Sequence, residues 1–430
     1  MSMYNDSGMK KKNDFFCISK CTIIIFIAAV LFSFSKCNST DAGKKNKTDA
    51  IKRPTIAATE ITLTFSGDIM AHDVNFNMKN YDRIYGDVKE LLTRDDLTFG
   101  NIETPVCNEL PLSSYPSFNV HEDYLKAAID GGFDVFAFAN NHTNDKGVRG
   151  IDGTIKSFLN LKAEYKMQNK DIFSSGLKEK AGDDFQPVLI EKNGWRILFL
   201  SVTELLNSYG PSKERLYYSN PSVDGRERLL QAIKRMRTQI PCDIFVLALH
   251  LFEPEYGLKI TKEKQEWFKH LAANGVDIVW AHHPHVLQDW EIAEVDNTGY
   301  QIIVNQDGIE NKDGKPSPIA ESEKYYKKKA VFLYSMGNFI SGQRWAVNYA
   351  NPDYYREYTG DSILMQIHVK KTDSGSADYF LKPVLITNYN EENAPIVKIF
   401  TKEWAENLTG KEKAYFLKRF ELMKSYLPQL

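Results

Sequence analysis

The sequence predicts an α/β protein that is built on a mainly parallel β-sheet. Segments with the pattern of strands alternate with segments with the pattern of helices, beginning with a strand at residues 61–65. Polar clusters also follow directly after several of the apolar strands. Strand–helix alternation is typical of βαβ units, which bring the carboxyl ends of parallel strands to one edge of a sheet. We therefore expect a ligand site at that edge.

The composition is that of a globular protein with a large core. The 430 residues are 43% hydrophobic and 26% charged, so the chain has ample apolar surface to bury. The formal net charge of −2 argues against a nucleic-acid partner, which would call for a marked basic excess. The five cysteines include no CxxC pair, so a thiolate zinc site is not expected. A disulfide between Cys107 and Cys242 is compatible with the sequence, which does not give their distance.

The first 60 residues have the layout of an export signal followed by a tether. Basic residues 10–12 precede an uncharged run at residues 21–35, which is short for a membrane-spanning helix. Cys37 stands where a bacterial lipoprotein signal places its lipidated cysteine, although Lys36 replaces the small residue usual before it. Residues 1–37 are therefore predicted to be a cleaved signal, a lipidated signal or a retained anchor. Each alternative exports the rest of the chain to the bacterial cell envelope.

The first half of the remaining chain follows the alternating pattern. Residues 38–60, rich in Lys, Thr, Asn and Asp, predict a flexible tether. Strands are predicted where the residues are β-branched or apolar, at 61–65, 97–100 and 134–139. Helices are predicted at 81–92, at 121–131, where two glycines end the pattern, and at 150–164. Residues 188–200 predict a hairpin that turns at Asn193-Gly194.

The second half continues the pattern and ends in a helix. Helices are predicted at 226–239 and 261–274, on either side of an apolar strand at 244–249. Residues 306–329, rich in Asp, Lys and Pro, predict an exposed loop, whose lysines 327–329 would form a solvated edge or contact a polyanion. Further β-structure is predicted at 276–280, 286–292, 301–304, 331–335, 362–369 and 379–386. We assign residues 61–400 to one domain and 401–430 to a C-terminal helix, whose amphipathic pattern covers 402–426.

Three histidines, His282, His283 and His285, follow directly after the apolar run 276–280. The chain has nine histidines in all, so three at one strand end need a reason. Imidazole is a common ligand of transition metals and a general acid or base near neutral pH. Side chains at positions i and i+2 share one face of an extended chain. His283 and His285 are therefore the candidate ligand pair, and His282 is interpreted as structural.

Further candidate ligands follow other strand ends. They mix carboxylate and amide oxygens with imidazoles, a combination that suits Mn, Fe or Zn better than a thiolate site does. A fold that gathers strand ends at one edge would bring them to the histidine pair. These candidates are Asp68, then Asn101 and Glu103, then Asn141, His142 and Asp145, and finally His250.

In this order the motifs resemble the five-block signature of calcineurin-like metallophosphoesterases. The detailed pattern is similar to the CapA branch, the capsule or poly-γ-glutamate synthesis proteins, over about residues 61–340. The matching segments are Gly67-Asp-Ile-Met70, Asn101-Ile-Glu-Thr-Pro105, Ala139-Asn-Asn-His-Thr-Asn-Asp-Lys-Gly147, His250-Leu-Phe-Glu-Pro-Glu-Tyr256, Ala281-His-His-Pro-His-Val286 and Ser335-Met-Gly-Asn-Phe339. The chain differs at Met70, where phosphoesterases carry a histidine, at Glu103, where they carry aspartate, and at Phe252-Glu253, where CapA proteins carry Trp-Gly.

The resemblance implies a metallophosphoesterase-like four-layer α/β/β/α sandwich with mixed sheets. It also implies a site for two divalent ions, drawn from Mn, Fe or Zn, with Glu103 in the bridging position. Asp68 and His285 would hold one ion. The other ion would be held by Asn141, His250 and His283.

The resemblance further implies catalytic and substrate-binding residues around the ions. His142 would protonate the leaving group, and Asp145 would either orient His142 or cap the following helix. His72 would contact substrate or ligand, or would otherwise be an exposed loop residue. The other candidate substrate contacts, from their places at strand ends and in the crevice, are Asn101, Glu255, Tyr256 and Asn338. Asn338 would otherwise be a turn residue beside Gly337.

The function implied by the resemblance is synthesis, export or anchoring of an anionic capsule polymer such as poly-γ-glutamate. As an enzyme, the protein would be a metal-dependent hydrolase of a phosphoester or of amide bonds in the polymer. The rival hypothesis is a non-catalytic polymer-binding or assembly subunit with a degenerate metal site. The expected partners are the polymer or phosphoester, the membrane through the N-terminus and a membrane complex with a polymer synthase, with no nucleic acid.

Overall fold

The computed structural model describes residues 59–296, 327–372 and 377–427. The predicted signal or anchor at 1–37, nearly all of the tether at 38–60, the strand at 301–304 and most of the loop at 306–329 lie outside these ranges. Within the described ranges, no helix combines the length and the apolar character that crossing a membrane requires.

Strands and helices alternate through most of the described chain, as predicted. In chain order the strands are β1 (Glu60–Ile69), β2 (Leu97–Ile102), β3 (Val135–Ala137), β4 (Phe173–Ser175), β5 (Val188–Lys192), β6 (Trp195–Thr203), β7 (Ile244–His250), β8 (Ile278–His282), β9 (Trp290–Asp296), β10 (Lys327–Leu333), β11 (Asn338–Ile340), β12 (Asp361–Lys371), β13 (Ala377–Glu391) and β14 (Ala394–Ile399). The α-helices are α1 (Asp73–Phe76), α2 (Lys89–Arg94), α3 (Glu122–Asp130), α4 (Gly147–Met167), α5 (Val223–Gln239), α6 (Lys262–Ala273), α7 (Lys402–Asn407) and α8 (Gly410–Tyr426). Short 3₁₀ helices occur at Tyr81–Ile84, Pro211–Arg215 and Tyr355–Gly360.

The strands form two mixed sheets. In the first, the order is β14-β13-β12-β1-β2-β3-β4, and β11 pairs with the end of β1. Strands β1 to β4 are parallel, whereas β12, β13 and β14 run antiparallel to their neighbours. In the second, the order is β5-β6-β7-β8-β10-β9, with β6, β7, β8 and β10 parallel and the edge strands β5 and β9 antiparallel.

The two sheets pack face to face through a shared apolar core. Phe99 of the first sheet meets Phe199 of the second at 5.7 Å between ring centroids, and Phe65 meets Trp280 at 5.5 Å. Burial of such large aromatic side chains contributes strongly to the stability of the interface. The alternating residues of each strand that face away from this core are available to pack against helices.

Helices cover the outer face of each sheet. On the first sheet, Leu125 of α3 and Phe158 of α4 belong to the same buried cluster as Phe136 of β3. On the second sheet, Leu229 of α5 and Phe268 of α6 belong to a third cluster, which contains the outward-facing residues of β6, β7 and β8. The layers therefore run α/β/β/α, and the predicted four-layer sandwich with mixed sheets is confirmed.

Several predicted boundaries were wrong for local physical reasons. The predicted helix at 81–92 is divided into a 3₁₀ turn and α2, and the predicted helix at 402–426 breaks before Gly410, whose φ is +54°. Residues 286–289 are not in a strand, so β9 begins only at Trp290. The lysines 327–329, predicted to lie in a loop, pair with β9 instead. Lys328 tolerates this position because its Nζ donates to Asp277 Oδ1 at 3.0 Å.

The two C-terminal helices pack against the same core as the sheets. Phe416 of α8 lies in the cluster between the sheets, and its ring contacts Trp404 of α7 at 5.0 Å. Arg419 of α8 is fully buried and donates through Nε and Nη2 to Asp361, at 2.7 and 2.6 Å. Since Asp361 begins β12, this ion pair ties the end of the chain to the first sheet.

Candidate metal centre

The candidate site lies at the carboxyl ends of the central strands of both sheets. Strand register brings its residues side by side, because Asp68 of β1 is opposite Asn101 of β2 and also opposite Asn338 of β11. In the second sheet, His250 at the end of β7 is opposite His282 at the end of β8. The predicted gathering of strand ends at one edge is therefore present in the structure.

Close backbone packing joins the first motif of the chain to the last. The amide of Asp68 donates to the carbonyl of Gly337 at 2.9 Å. A Cβ atom on Gly67 would lie 2.1 Å from the same carbonyl oxygen, which is far inside contact distance. Only glycine fits at position 67, and this explains why a glycine precedes the site aspartate.

Two buried carboxylates, Asp68 and Glu103, form the floor of the site. The amide of Asn101 lies between them and donates to Asp68 Oδ1 at 2.8 Å and to Glu103 Oε2 at 3.2 Å. Asn140 in turn donates to Asn101 Oδ1 at 3.2 Å. The second oxygen of each carboxylate, Asp68 Oδ2 and Glu103 Oε1, is buried and has no hydrogen-bond partner. The amide network thus fixes the carboxylates and leaves one oxygen of each free to bind a ligand.

The histidines after β8 surround the two carboxylates. His282 Nδ1 lies 2.7 Å from Asp68 Oδ1, and His285 Nδ1 lies 3.3 Å from Asp68 Oδ2. His285 Nδ1 also donates to Asn338 Oδ1 at 3.0 Å, so its Nε2 points toward Glu103 Oε1 at 3.7 Å. Hydrogen bonds of this kind fix the orientation and tautomer of a ligand imidazole.

A second group of donors lies on the other side of Glu103. His250 Nε2 is 3.8 Å from Glu103 Oε1, so this one oxygen lies within 4 Å of both His250 and His285. The ring of His283 lies 5.1 Å from that of His250. Asn141 donates through Nδ2 to Asn207 Oδ1 at 3.1 Å, while its own Oδ1 is buried without a partner.

The turn that carries the histidines has an unusual backbone. His283 and His285 adopt φ values of +106° and +57°, which residues other than glycine rarely adopt. Such conformations cost about 1–3 kcal/mol each and occur mostly at functional sites, where the surrounding structure holds them. Their presence on both sides of Pro284 indicates that the fold holds these two rings in place at the expense of local backbone strain.

Burial and neighbouring charges set different protonation states within the site. Burial alone would raise the pKa of Asp68, but His282 and His285 hold it well below its ordinary value. Burial, together with the negative charge of Asp68, raises the pKa of Glu103 well above its ordinary value. Burial lowers the pKa of His283 to about 3 and that of His250 well below its ordinary value, so both rings are neutral. Neutral imidazole is the form that binds metal.

The unpartnered atoms of the site suit a metal ion. Buried polar atoms without a partner cost about 1–3 kcal/mol each, so native proteins contain few of them. Asp68, Glu103 and His285 each offer one ligand atom, and these atoms all lie within 4.8 Å of one another. Oxygen and imidazole donors of this kind bind divalent transition metals. The site could therefore bind a metal ion. Its unpartnered atoms are Asp68 Oδ2, Glu103 Oε1, Asn141 Oδ1, both ring nitrogens of His250, His282 Nε2 and His283 Nδ1.

A histidine–aspartate pair stands beside this cluster. His142 Nδ1 lies 2.7 Å from Asp145 Oδ2, and both side chains are almost completely buried. The backbone amide of Phe118 donates to the same Asp145 oxygen at 2.8 Å, and the Phe118 ring packs edge-on to His142 at 4.6 Å. These contacts fix the His142 ring with Nδ1 as donor, which leaves Nε2 as the exchangeable atom. Asp145 orients His142, one of the two roles considered for it.

The residues expected to contact substrate are divided between the interior and the rim. Asn101 and Asn338 are completely buried, and their amide groups are engaged in positioning the ligands. His72 is partly buried and accepts a hydrogen bond at Nδ1 from the amide of Gly342 at 3.1 Å. Tyr256 is partly buried and Glu255 is exposed, both on the loop after β7. His72, Glu255 and Tyr256 therefore remain as the candidates that a substrate can reach.

Sequence reasoning missed one residue that shapes the site and one contact within it. His282 was interpreted as structural, and the structure gives it a specific contact with Asp68. Asn207, in the loop after β6, lies 3.1 Å from His142 Nδ1 and donates to Asp145 Oδ1 at 3.4 Å. Asn207 belongs to no recognisable motif, and the available signal was its position shortly after a strand that ends at the same edge.

The fold and the site define a class: a two-sheet α/β protein with a buried centre of carboxylates and imidazoles that could bind metal. The chain belongs to the family of bacterial capsule synthesis proteins called PGA_cap, whose family model matches residues 62–343. This finding confirms the membership that the motifs predicted.

Two characterised relatives cover most of the chain. The capsule biosynthesis protein CapA of Bacillus anthracis is 28% identical over 341 residues, which are 76% of this chain and 68% of that protein. The PGA biosynthesis protein CapA of Bacillus subtilis (strain 168) is 25% identical over 336 residues, which are 76% of this chain and 73% of that protein. The chain is therefore similar, at modest identity, to CapA proteins of capsule biosynthesis.

Two solved structures are distant matches. One, described as a novel phosphatase from Mycoplasma pneumoniae, is 15% identical and has a TM-score of 0.39, with 76% of this chain and 94% of that chain covered. The other, a hypothetical protein from Thermus thermophilus, is 14% identical with a TM-score of 0.36, and 76% and 98% of the two chains are covered.

Proposed function

We propose that this protein is a metal-dependent hydrolase in the synthesis, export or anchoring of an anionic capsule polymer such as poly-γ-glutamate. The observation that carries the proposal is the convergence of unpartnered buried ligand atoms on Glu103 Oε1, next to the ordered His142–Asp145 pair. Either feature alone has a structural explanation. Together they supply a site for metal and a group that can transfer a proton.

The ligands for the metal divide around Glu103. Asp68 and His285 would hold one divalent ion, and His250, His283 and Asn141 a second, with Mn, Fe or Zn suited to these donors. Bound ions of this kind activate water and stabilise negative charge on a phosphoryl or carbonyl oxygen.

The side chains of the protein supply the proton transfer. The Nδ1–H of His142 donates a hydrogen bond to Asp145, so Nε2, when it is protonated, is the atom that would deliver a proton to the leaving group. Asp145 keeps the ring in this tautomer and stabilises its positive charge when Nε2 is protonated. The Phe118 ring shields one side of the imidazole from water. The bond broken is a phosphoester or an amide bond of the polymer.

A non-catalytic role as a polymer-binding or assembly subunit is the second candidate. It is favoured by Met70, which stands where the phosphoesterases carry a histidine. Met70 is buried directly after β1. Its backbone amide donates to the Ile340 carbonyl, and its carbonyl accepts a hydrogen bond from the Tyr124 hydroxyl. No imidazole therefore enters the site from this position. A centre that lacks this histidine would bind the ion held by Asp68 and His285 more weakly.

The proposed setting is the outer side of the bacterial cytoplasmic membrane. Residues 1–37 would act as export signal or anchor, and residues 38–60 would tether the folded part to the membrane surface. The partners there would be the polymer and a polymer synthase complex.

Metal analysis combined with activity assays tests the proposal. The purified full-length chain should retain at least one equivalent of Mn, Fe or Zn and should hydrolyse bis-p-nitrophenyl phosphate or poly-γ-glutamate. His142→Ala should keep the metal and lose roughly 10²–10⁴-fold in turnover, whereas His283→Ala should lose metal as well. His368→Ala, an exposed histidine bonded to Thr62 at the other end of β1, is the matched control and should change neither.

The outcomes separate the two candidates. Retained metal and bound poly-γ-glutamate with no turnover of either substrate would favour the binding subunit. A chain without metal, whose function survives both His142→Ala and His283→Ala, would contradict the hydrolase.

A further inference from the structure

The rim of the centre carries a cation that the proposed mechanism does not use. Arg356 lies in the 3₁₀ helix Tyr355–Gly360, and its side chain is exposed. Within the described ranges no ion pair joins Arg356 to a carboxylate. Arg226, by contrast, is paired with the carboxylate of Glu204. Arg356 thus has free hydrogen-bond donors at the protein surface.

A short series of contacts links the segment that carries Arg356 to the candidate ligands. The backbone amide of Tyr256 donates at 2.8 Å to the carbonyl of Pro284, the residue between the two ligand histidines. The ring of Tyr256 lies 5.5 Å from the ring of Tyr355. Arg356 follows directly in the chain. The segment that carries Arg356 is therefore joined to the histidine turn through the contact between Tyr355 and Tyr256.

Electrostatic effects agree with this placement. Burial lowers the pKa of His72 to about 4, and the positive charges of its neighbours, including Arg356, add to the decrease. Burial raises the pKa of Tyr256, and the charge of Arg356 opposes the increase. The charge of Arg356 thus acts on two rim residues that face the site from different loops.

The tyrosines beside Arg356 offer an accessible aromatic surface. Tyr354 is 38% exposed and Tyr355 48% exposed, and their rings lie 4.5 Å apart. Phe252, on the loop that carries Tyr256, is 58% exposed. Tyr256 itself has a φ of +62°, a strained backbone conformation that its bond to Pro284 holds in place. Monomeric proteins rarely leave aromatic side chains clustered at a surface without a binding role.

We propose that Tyr256, Tyr355 and Arg356 form a subsite that binds one carboxylate-bearing unit of the polymer, next to the unit at the metal centre. This inference rests on the proposed function, since it names how an anionic polymer is held there. The guanidinium fork matches a carboxylate with two parallel hydrogen bonds. The two tyrosine rings would pack against the apolar chain between successive carboxylates. The subsite thereby selects a chain with regularly spaced carboxylates.

Equilibrium binding of labelled poly-γ-glutamate to the full-length chain tests the subsite. Arg356→Gln should raise the Kd roughly tenfold, because one charge-assisted pair is lost, and Tyr355→Ala should raise it by a smaller factor. Arg94→Gln is the control for net charge, since Arg94 ends α2 on the opposite edge of the first sheet and should leave the Kd unchanged. Methyl-esterified poly-γ-glutamate should bind the wild type weakly, and Arg356→Gln should not weaken that binding further. Thermal unfolding of each variant checks that the fold is intact.

The outcomes distinguish this inference from the proposed function. A wild type that does not bind poly-γ-glutamate, an unchanged Kd for Arg356→Gln, or equal losses for Arg94→Gln and Arg356→Gln would overturn the subsite. Tighter binding of polyphosphate than of poly-γ-glutamate would overturn it as well. Turnover of a phosphodiester with no effect of Arg356 on the polymer would leave the hydrolase standing and remove the subsite. Binding that depends on Arg356 without turnover would support the subsite and remove the hydrolase.

Discussion

Asn338 accepts a hydrogen bond from Nδ1 of His285 at 3.0 Å, and the opposite nitrogen of the same ring faces Glu103 at 3.7 Å. The Asn338 amide group is fixed in turn, because its Nδ2 donates to the Thr359 carbonyl and to Gln343. The last motif of the chain therefore controls the orientation of a candidate ligand in the turn after β8, about fifty residues earlier in sequence.

Replacing Asn338 should weaken metal binding without removing a ligand. Asn338→Ala leaves the His285 ring free to rotate, and loss of such a supporting contact typically costs 10–100-fold in metal affinity. Competitive titration with a chromogenic chelator measures this directly. Gln343→Ala is the matched control, because the Thr359 carbonyl still holds the Asn338 amide and His285 keeps its hydrogen bond to Asn338. Equal affinities of the Asn338→Ala variant and the wild type would show that packing alone orients His285.

A buried lysine should hold the loop that carries the rim residues. Lys264 of α6 donates through Nζ to Glu253 at 2.5 Å and to Gln288 at 2.8 Å, and Gln288 donates to the Gly257 carbonyl. Burial lowers the pKa of Lys264 and raises that of Glu253, so each charge depends on the other. Lys264→Met leaves Glu253 unpaired, which should lower the free energy of unfolding by roughly 3 kcal/mol.

Urea denaturation of single and double variants measures the coupling. Glu253→Gln in the Lys264→Met background should recover part of the loss, since no unpaired carboxylate then remains buried. Lys262→Met, at the exposed first residue of the same helix, is the control and should change stability by less than about 0.5 kcal/mol. Strictly additive changes in the free energy of unfolding would show that Lys264 and Glu253 do not interact.

The C-terminal helix should depend on one arginine for its attachment. Arg419 and Arg344 each donate to Asp361, at 2.7 and 2.6 Å, and all three side chains are buried. Burial would raise the pKa of Asp361, but the two guanidinium groups hold it below its ordinary value. Arg419→Met should lower the free energy of unfolding by about 3–5 kcal/mol, because removing one member of a buried ionic group leaves the others poorly compensated. Lys418→Met, an exposed neighbour, should have little effect in the same chemical denaturation experiment.

Much of the fold could be predicted from the sequence, because its main strands and helices have clear periodicity. The three-residue strands β4 and β11 lie in no apolar run and were missed, whereas β3, of the same length, lies in the apolar run 134–139 and was predicted. The break at Gly410 within the C-terminal helical pattern depends on a turn and was also missed. The polar composition around Lys328 predicted a loop, but the residue lies in a strand. The carboxylate of Asp277 accepts a hydrogen bond from its ammonium group and so stabilises the lysine there.

The site was predictable to the extent that its residues occupy motifs at strand ends. Asp68, Glu103, His250 and His285 converge because parallel strands align these ends, a consequence of fold class. The supporting contacts were beyond sequence reasoning, since they depend on side-chain direction across distant elements. The pairs His282–Asp68 and Asn207–His142 are examples, each joining residues far apart in sequence.

A carboxylate remote from the site should make stability depend on pH. Asp95 follows α2 and accepts a hydrogen bond from the Thr98 hydroxyl at 2.7 Å, while its other oxygen is buried without a partner. Burial raises the pKa of Asp95 to about 7, and the negative charge of Asp134 adds to the increase. The folded protein therefore keeps a proton on Asp95 at pH values where the unfolded chain has lost it.

The direction of the effect follows from proton linkage. Between pH of about 4 and about 7 the folded state binds more protons at Asp95 than the unfolded state, so this residue lowers stability as the pH rises. Asp95→Asn should remove that loss and raise the free energy of unfolding by roughly 1–2 kcal/mol at pH 8, with little gain at pH 4. Thermal unfolding at both pH values measures the difference, and Asp171→Asn, an exposed carboxylate that is paired with Lys166, serves as the control. A gain of the same size at pH 4 and pH 8 would mean that Asp95 is ionised in the folded protein.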